Sequence, residues 1–160
     1  MKTLVVYYSR TGNTEKVGNE LAKELKADVE KIIDLKNRIG AISWLSAGHD
    51  AMKKKLTEIV EIKKDPSIYD LVVVGTPVWV TVTPAIRTYL RNNKDKFKKL
   101  AFYSTKGGSE TKTFKDMEEE AGKEPIATLE LTTKEVNENS YKEKLQKFVD
   151  SSKKRSKLST

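Results

Sequence analysis

The sequence predicts an α/β fold built on one parallel sheet of five strands, and three observations support this. Apolar, strand-like segments alternate along the chain with segments of helical periodicity, as in strand–helix–strand units. The two strongest strands, Lys2–Tyr8 and Tyr69–Gly75, are almost continuously apolar, as expected for strands that are covered on both faces. Turns rich in hydroxyls, glycine or proline follow three of the strands, at residues 9–14, 76–84 and 104–109.

The elements follow from local periodicity and from residues that begin or end helices. The predicted strands are Lys2–Tyr8, Asp28–Ile33, Tyr69–Gly75, Leu100–Tyr103 and Ile126–Leu131. Apolar residues at helical spacing predict the helices Asn13–Lys26, Ala51–Val60, one that Thr83 caps, Ser109–Ala121 and Glu138–Asp150. Pro84 suits the first turn of the third of these helices, and Gly122 is expected to end the fourth.

The length and charge predict one domain with a basic tail. We assign residues 1–150 of the 160-residue chain to the domain and expect residues 151–160 to be disordered. The formal net charge is +8, and four positive charges without a neighbouring acid lie in the last eight residues. No aromatic residue is interleaved with these charges, so no nucleic-acid partner is expected.

Several classes of site are excluded by composition. The chain has no cysteine, which excludes disulfides, thiolate metal sites and a cysteine nucleophile. His49 is the only histidine, and no metal site or catalytic constellation can be assembled from the sequence. Because residues 1–8 form a core strand and no apolar run reaches the length of a membrane span, we expect a soluble, cytoplasmic protein without a signal peptide or membrane insertion.

The turn after the first strand has the chemistry of an anion site. Its residues are Ser9, Arg10, Thr11, Gly12, Asn13 and Thr14. The first N–H groups of the helix that follows have no acceptor within the helix, and the helix dipole adds positive potential. Gly12 allows close approach of the backbone, and the hydroxyl and amide side chains add neutral donors. The turn is therefore predicted to hold a phosphate.

This turn resembles the phosphate-binding signature of the flavodoxin family. Neither a G-x-x-x-x-G-K-[ST] loop nor a strand followed by G-x-G-x-x-G is present. The resemblance covers about residues 1–150 and implies a flavodoxin-like three-layer sandwich with strand order 2-1-3-4-5 and one FMN. In that order, ligands sit at the carboxyl ends of the strands near the switch point, where the three unusual turns fall.

The same resemblance assigns the other two turns to the flavin ring. The second turn contributes Thr76, Pro77, Val78 and Trp79, with Trp79 stacked on the isoalloxazine. The third turn lies near the pyrimidine end of the ring and contributes Ser104, Thr105, Lys106, Gly107 and Gly108. The connection Asp34–Asp50, which contains Trp44 and His49, is similar to loops of flavodoxin-like proteins from anaerobes and archaea. It either covers the flavin or packs on the sheet as a plain crossover.

Three departures from the best-known flavodoxins bear on redox behaviour. No second stacking aromatic stands between Ser104 and Thr113, and Lys106 lies in a loop that is usually acidic. No glycine lies between Gly75 and Pro84, although many flavodoxins have one whose peptide can turn toward the flavin. The missing glycine makes one-electron behaviour less favoured. The positive charge of Lys106 is expected to make the flavin potential less negative.

The resemblance implies a short-chain flavodoxin, a low-potential carrier that uses one noncovalently bound FMN to move electrons between redox proteins. A monomer is expected. The alternative enzyme is an FMN-dependent NAD(P)H or quinone reductase on the same fold, which the departures favour slightly. A third hypothesis is a flavin-free binding module that uses its basic surface, because fold alone does not give function.

Overall fold

The computed structural model describes residues 1–36, 49, 54–108 and 111–158. Its main sheet contains Thr3–Tyr7 (β1), Asp28–Lys31 (β2), Leu71–Trp79 (β3), Leu100–Lys106 (β5) and Pro125–Thr132 (β6). These strands are parallel and lie in the order β2-β1-β3-β5-β6, which confirms the predicted order 2-1-3-4-5. A two-residue strand, Thr81–Val82 (β4), pairs antiparallel with the end of β3.

Helices cover both faces of this sheet. They are Asn13–Leu25 (α1), Pro84–Asn93 (α2), Thr113–Ala121 (α3), Thr133–Glu138 (α4) and Lys142–Lys157 (α5). Short 3-10 turns occur at Pro66–Ile68 and Lys94–Lys96. Buried residues of α1 and α5 pack on one face of the sheet, and those of α2 and α3 pack on the other. The result is the predicted three-layer arrangement.

β1 shows why the central strands are apolar throughout. Leu4 and Val6 join the core on the α2–α3 side, whereas Val5 and Tyr7 join the core on the α1–α5 side. Leu4, Val5 and Val6 have no exposed surface. Full burial of such side chains stabilises the fold by about 1.5–3 kcal/mol each, so both faces of the strand contribute.

The segment before β3 differs from the prediction of a helix at Ala51–Val60. The described part of that range, residues 54–60, contains no helix. It runs antiparallel beside the chain after β2, with Leu35 N–H donating to Glu58 O at 3.0 Å and Val60 N–H to Ile33 O at 2.9 Å. The apolar residues in this range are compatible with a helix and also with an extended segment. The backbone hydrogen bonds to the chain after β2 stabilise the extended conformation.

The C-terminal segment differs as well. Instead of one helix at Glu138–Asp150 followed by a disordered tail, the chain forms α4, turns at Asn139 with φ 54°, and continues in α5 to Lys157. Ser152 is fully buried. Lys153 Nζ donates to Glu24 O at 3.1 Å, and Arg155 donates to Ile126 O at 2.8 Å. These contacts are made by charged side chains to backbone carbonyl oxygens, so the absence of a pattern of apolar residues in the segment did not reveal them.

Smaller differences concern the ends of elements. β3 and β5 continue through parts of the second and third turns, to Trp79 and Lys106. Pro84 begins α2 as predicted, but Thr83 makes no side-chain cap bond. Gly122 ends α3 in the left-handed region, as predicted, with φ 63°. The predicted start of α3 at Ser109 and the residue Trp44 lie outside the described residues.

We predict that truncation after Ser151 destabilises the protein. Loss of the carbonyl contacts of residues 153–156 should lower the free energy of unfolding by about 2 kcal/mol, at roughly 1 kcal/mol for each net hydrogen bond. Urea denaturation measures this change. The double variant Lys154→Gln/Lys157→Gln keeps the carbonyl contacts and is the control, with a much smaller decrease that reflects only the loss of two favourable charges near the helix C-terminus. An unaltered midpoint in the truncated chain would show that the segment contributes nothing to folding.

Candidate functional site

A cleft lies at the carboxyl ends of β1, β3 and β5, where the three predicted turns meet. It is lined by Arg10, Thr11, Asn13, Thr14, Pro77, Val78, Trp79, Thr105, Lys106, Gly107 and Thr133. All of these except Thr133 are predicted site residues. The other predicted residues, Ser9, Gly12, Thr76, Ser104 and Gly108, lie in the same turns but do not line the cleft. The topology therefore brings three distant segments together at one edge of the sheet.

The first turn presents the beginning of α1 to the cleft. Gly12 is the residue before the helix, and its φ of 102° lies in a region that glycine adopts without strain. Ser9 Oγ accepts a hydrogen bond from Gly12 N–H at 3.2 Å. The first helical bond runs from Lys16 N–H to Gly12 O at 2.9 Å, so the N–H groups of residues 13–15 have no acceptor within the helix. This geometry is suited to an anion.

β5 holds this helix end in place through two buried hydrogen bonds. Tyr103 Oη donates to Thr14 O at 2.9 Å, and the hydroxyls of Thr14 and Thr105 lie 2.7 Å apart. Tyr103 is fully buried, and burial holds the pKa of its hydroxyl well above the ordinary value. The phenol therefore remains protonated and continues to donate throughout the physiological pH range.

Two glycines make room for the Tyr103 ring. A Cβ atom at Gly75 would lie 2.0 Å from Tyr103 Cζ, and one at Gly18 would lie 2.5 Å from Tyr103 Oη. Both distances are far shorter than any carbon contact between packed atoms. The ring thus crosses β3 at Gly75 and reaches α1 at Gly18, and no larger residue fits at either position without displacing it.

A carboxylate in the first turn of α1 is neutralised. Glu15 would oppose an incoming anion, but Lys31 Nζ lies 2.8 Å from Glu15 Oε2, at the end of the neighbouring strand β2. The local potential at the helix end is therefore set by the backbone N–H groups more than by Glu15.

The second turn is a tight hairpin with a strained residue at its tip. Val78 pairs with Val82 and Trp79 with Thr81, which leaves Val80 alone between the paired strands. Val80 has φ 76° and is 60% exposed. A β-branched residue in this region costs about 1–3 kcal/mol. The chain thus adopts a positive φ in this turn without the glycine that would relieve the cost.

Trp79 lies against the cleft but is 3% exposed. Its ring meets Tyr8 edge to face, with centroids 5.6 Å apart and planes at 84°. Arg10 Cζ lies 5.7 Å from the Trp79 ring, within cation–π distance. A planar ligand that stacks on this side of the indole would have to take the place of the Arg10 guanidinium.

A buried network of charged side chains on α2 and α3 contacts the hairpin at Thr81. Thr81 Oγ1 donates a short hydrogen bond to Asp116 of α3. Arg87 of α2 is 1% exposed, is ion-paired with Glu120, and has a guanidinium nitrogen 3.9 Å from Asp116. Removal of one partner from such a buried network is costly, because the other charge is then left uncompensated. The network therefore fixes β4, and with it the strained turn.

The third turn carries a compensated charge. Lys106 is 8% exposed, and its Nζ lies 2.7 Å from Glu130 Oε1 on β6. The expected free positive charge at this end of the site is thus largely cancelled by Glu130. Gly107 and Gly108 are exposed, and a Cβ at either would meet no atom within 4 Å, so both leave open space. Ser104 Oγ is buried without a hydrogen-bond partner among the described residues.

Sequence reasoning missed four residues that shape the site: Tyr103, Asp116, Glu130 and Thr133. Thr133 Oγ1 donates to Lys106 O at 3.1 Å, and Thr133 is the first helical residue within a capping box formed by Thr132 and Glu135. That box is a readable T-x-x-E signal for the start of α4. The other three depend on partners that are distant in sequence, and no local pattern identifies them. His49, the only histidine of the sequence, is exposed.

The fold and site define a doubly wound α/β protein with a cleft and the start of α1 at its switch point. A family model described as flavodoxin matches residues 2–152. The chain therefore belongs to the flavodoxin family. No curated protein matches it. None of the helices in the described part of the chain is long and apolar enough to cross a membrane.

Solved structures agree with this assignment. A flavoprotein from Lactobacillus acidophilus NCFM, in complex with FMN, is 26% identical with TM-score 0.71, covering 87% of this chain and 98% of that one. The two-electron reduced flavodoxin of Megasphaera elsdenii is 15% identical with TM-score 0.56, covering 93% and 98%. A flavodoxin from the domain Archaea is 14% identical with TM-score 0.54, covering 96% and 98%. The last two are similar in fold alone.

We predict that Tyr103→Phe loosens the start of α1. The ring remains, but the hydrogen bond to Thr14 O is lost, and the free energy of unfolding should fall by about 1 kcal/mol. Amide hydrogen exchange should accelerate at residues 16–18, whose N–H groups bond within the first turns of the helix.

Tyr89→Phe is the matched control, because Tyr89 is fully buried and its hydroxyl has no partner among the described residues. Its stability should stay the same or rise slightly. Equal losses in the two variants would contradict a specific role for the Tyr103 hydroxyl.

Proposed function

We propose that this protein binds one FMN noncovalently in the candidate cleft and carries electrons between redox proteins. The observation that carries the proposal is the helix end of α1, with its N–H groups and neutral side chains, beside the turns after β3 and β5. Family membership and the FMN complex of a 26% identical neighbour support FMN as the cofactor. The first test is whether the purified protein has the visible absorbance of a flavin.

The residues present fit this cofactor. Thr11 and Asn13 line the cleft beside the helix end and supply neutral donors, which suit a phosphate dianion. Val78 provides an apolar wall for a flat ring, and Trp79 would extend that wall once the Arg10 guanidinium leaves its ring. Gly107 leaves open space over the third turn, where backbone N–H groups can approach polar ring atoms. The donor set therefore matches a ligand with an anionic end and a planar apolar end.

When bound, FMN would supply the electron chemistry, and the protein residues would set its position and surroundings. The helix end would orient the ligand by its phosphate, while the hairpin of Trp79, Val80 and Thr81 would exclude water on one side. The Lys106–Glu130 pair would keep the opposite end close to neutral. Because the hairpin is held by Asp116, its geometry would change little during electron transfer.

An FMN-dependent NAD(P)H or quinone reductase is the second candidate. The strained, glycine-free turn at Val80 favours it, because this turn lacks the residue that can change its peptide orientation without cost. A turnover assay with NAD(P)H and a quinone distinguishes the reductase from the electron carrier. A reductase consumes NAD(P)H and reduces a quinone without a partner protein, whereas a carrier requires a redox protein on each side.

We predict that Thr11→Ala weakens FMN binding by roughly ten- to a hundredfold. A hydrogen bond to a charged group contributes about 1.5–3 kcal/mol, and every 1.4 kcal/mol corresponds to about tenfold in affinity. Thr11 is exposed, so the fold should be unaffected. Fluorescence titration of the apoprotein with FMN and with riboflavin measures the effect.

Riboflavin, which lacks the phosphate, should bind both proteins equally. Thr128→Ala, at an exposed position on β6, is the control for loss of a threonine hydroxyl elsewhere. If FMN and riboflavin lose affinity in parallel, the turn supports the fold and does not recognise phosphate.

We predict that the two members of the Lys106–Glu130 pair affect the cofactor potential in opposite directions. Lys106→Gln leaves the negative charge of Glu130 and should lower the potential, whereas Glu130→Gln should raise it. After solvent screening, a charge at this depth contributes about 1 kcal/mol, which corresponds to some tens of millivolts for one electron.

The double variant Lys106→Gln/Glu130→Gln should return close to the original potential, because it removes both charges. Anaerobic redox titration of the original protein, the two single variants and the double variant measures the four potentials of this double-mutant cycle. Shifts of the same sign in the two single variants would contradict electrostatic compensation.

A further inference from the structure

The amino ends of the strands form a second pole of the molecule, opposite the cleft. Strands β1, β2, β3, β5 and β6 begin there, and α1, α2, α3 and α5 end there. We define the basic pole by the segments that meet at this edge: residues 1–2, 26–28, 63–70, 94–99, 122–124 and 153–158.

The net charge of the protein is concentrated in the basic pole. Its segments contain thirteen lysine or arginine residues and five aspartate or glutamate residues. The whole chain has 31 basic and 23 acidic residues, so the remainder is neutral by formal charge. The positive charge is therefore a property of one surface and not of the protein as a whole.

Internal interactions do not cancel this charge. Each of the four helix C-termini contributes about −0.5 elementary charge, which offsets only a minor part. Lys123 Nζ donates to Lys98 O and Arg155 to Ile126 O, and both acceptors are carbonyl oxygens without net charge. The ion pairs Lys96–Asp65 and Lys98–Asp70 are long, at 3.7 Å, and their side chains are about half exposed. The pole therefore presents a positive potential to solvent.

Exposed apolar side chains lie among these lysines. Met1, Ile68 and Leu158 are 55%, 52% and 71% exposed. They belong to adjoining segments, because Ser156 Oγ lies 2.7 Å from Met1 Sδ and Lys2 N–H donates to the Asp70 carboxylate at 2.7 Å. Isolated exposed apolar residues need no explanation, but three of them within a lysine-rich surface form an amphipathic surface.

We propose that the basic pole binds the surface of an anionic lipid bilayer as a peripheral contact. Clusters of four or more lysines bind anionic lipids, and every one or two charges increase the affinity about tenfold. Apolar side chains beside such a cluster can enter the interface of the bilayer. Lysine provides all but one of the thirteen basic residues of the pole. The lysine ammonium is a compact point charge and is suited to nonspecific attraction to a negatively charged surface. Arginine is better suited to bidentate hydrogen bonds with a single phosphate or carboxylate.

The location of the pole fits such a contact. β5 has seven residues, and at a rise of about 3.3 Å per residue the pole lies some 20 Å from the cleft. A protein bound to lipid through the pole keeps its cleft on the opposite side, open to solvent. This inference does not depend on which ligand or reaction the cleft serves.

The test is sedimentation of the full-length protein with vesicles. Phosphatidylcholine vesicles are compared with vesicles of phosphatidylcholine and phosphatidylglycerol in equal parts, at low and at high salt. The expected result is binding to the anionic vesicles only, weaker at high salt. Equal binding to both vesicle types, or no binding to either, would overturn the proposal.

Two triple variants of equal net charge locate the surface. Lys26→Gln/Lys154→Gln/Lys157→Gln lies in the pole, and Lys112→Gln/Lys115→Gln/Lys134→Gln lies elsewhere; all six side chains are exposed. The pole variant should lose tenfold to a hundredfold in vesicle binding, whereas the matched control should lose less than threefold. Equal losses would mean that net charge alone is responsible, and the pole would be excluded.

A third variant distinguishes lipid from nucleic acid. Ile68→Ser/Leu158→Ser removes apolar surface without changing charge, so vesicle binding should fall and the residual binding should become more sensitive to salt. Binding of a duplex DNA is measured in parallel for all variants. DNA binding that exceeds vesicle binding and is unaffected by this variant would replace the lipid proposal with a nucleic-acid one.

Discussion

The packing of Tyr103 across Gly75 and against Gly18 is the constraint on which the cleft depends. A single ring joins β5, β3 and α1, and its hydroxyl holds the carbonyl of Thr14. Without this contact, the hydroxyl pair of Thr14 and Thr105 would be the remaining hydrogen bond between the start of α1 and β5 among the described residues. Because interiors are close-packed, the ring and the two glycines are one unit. The position of the start of α1 at the cleft is therefore fixed by a residue that does not line the cleft.

The sheet could be predicted because each central strand carries its own signal. β1 and the first half of β3 are buried on both faces, so their sequences are almost continuously apolar, and right-handed crossovers then leave few possible strand orders. The segment at residues 54–63 and the end of α5 could not be predicted in the same way. Their conformations depend on hydrogen bonds to the carbonyl oxygens of Ile33, Glu24 and Ile126, which no local pattern encodes.

The candidate site likewise has features that local sequence predicts and features that depend on distant residues. Its three turns could be located from Gly12, Trp79 and Gly107, because hydroxyls, proline and glycine after strands are local features. Their electrostatics could not be foreseen. Lys106 stands alone in its own segment, and only the pairing of β5 with β6 places Glu130 beside it. Likewise, the support of the hairpin comes from Asp116, thirty-five residues beyond Thr81.

Parallel topology also gives the two ends of this molecule opposite roles. The five parallel strands point their carboxyl ends toward the edge that holds the cleft, so α1, α2, α3 and α4 start on that side and present N–H groups and positive potential there. Each long helix then returns and ends at the other pole, where cations near its last turn are favourable, as with Lys154, Arg155 and Lys157. Here, however, the lysines exceed what the helix ends can balance. The excess cannot be attributed to helix stability, and it lies where no contact with the cleft is possible. A role for it must therefore be sought in what this surface meets in solution.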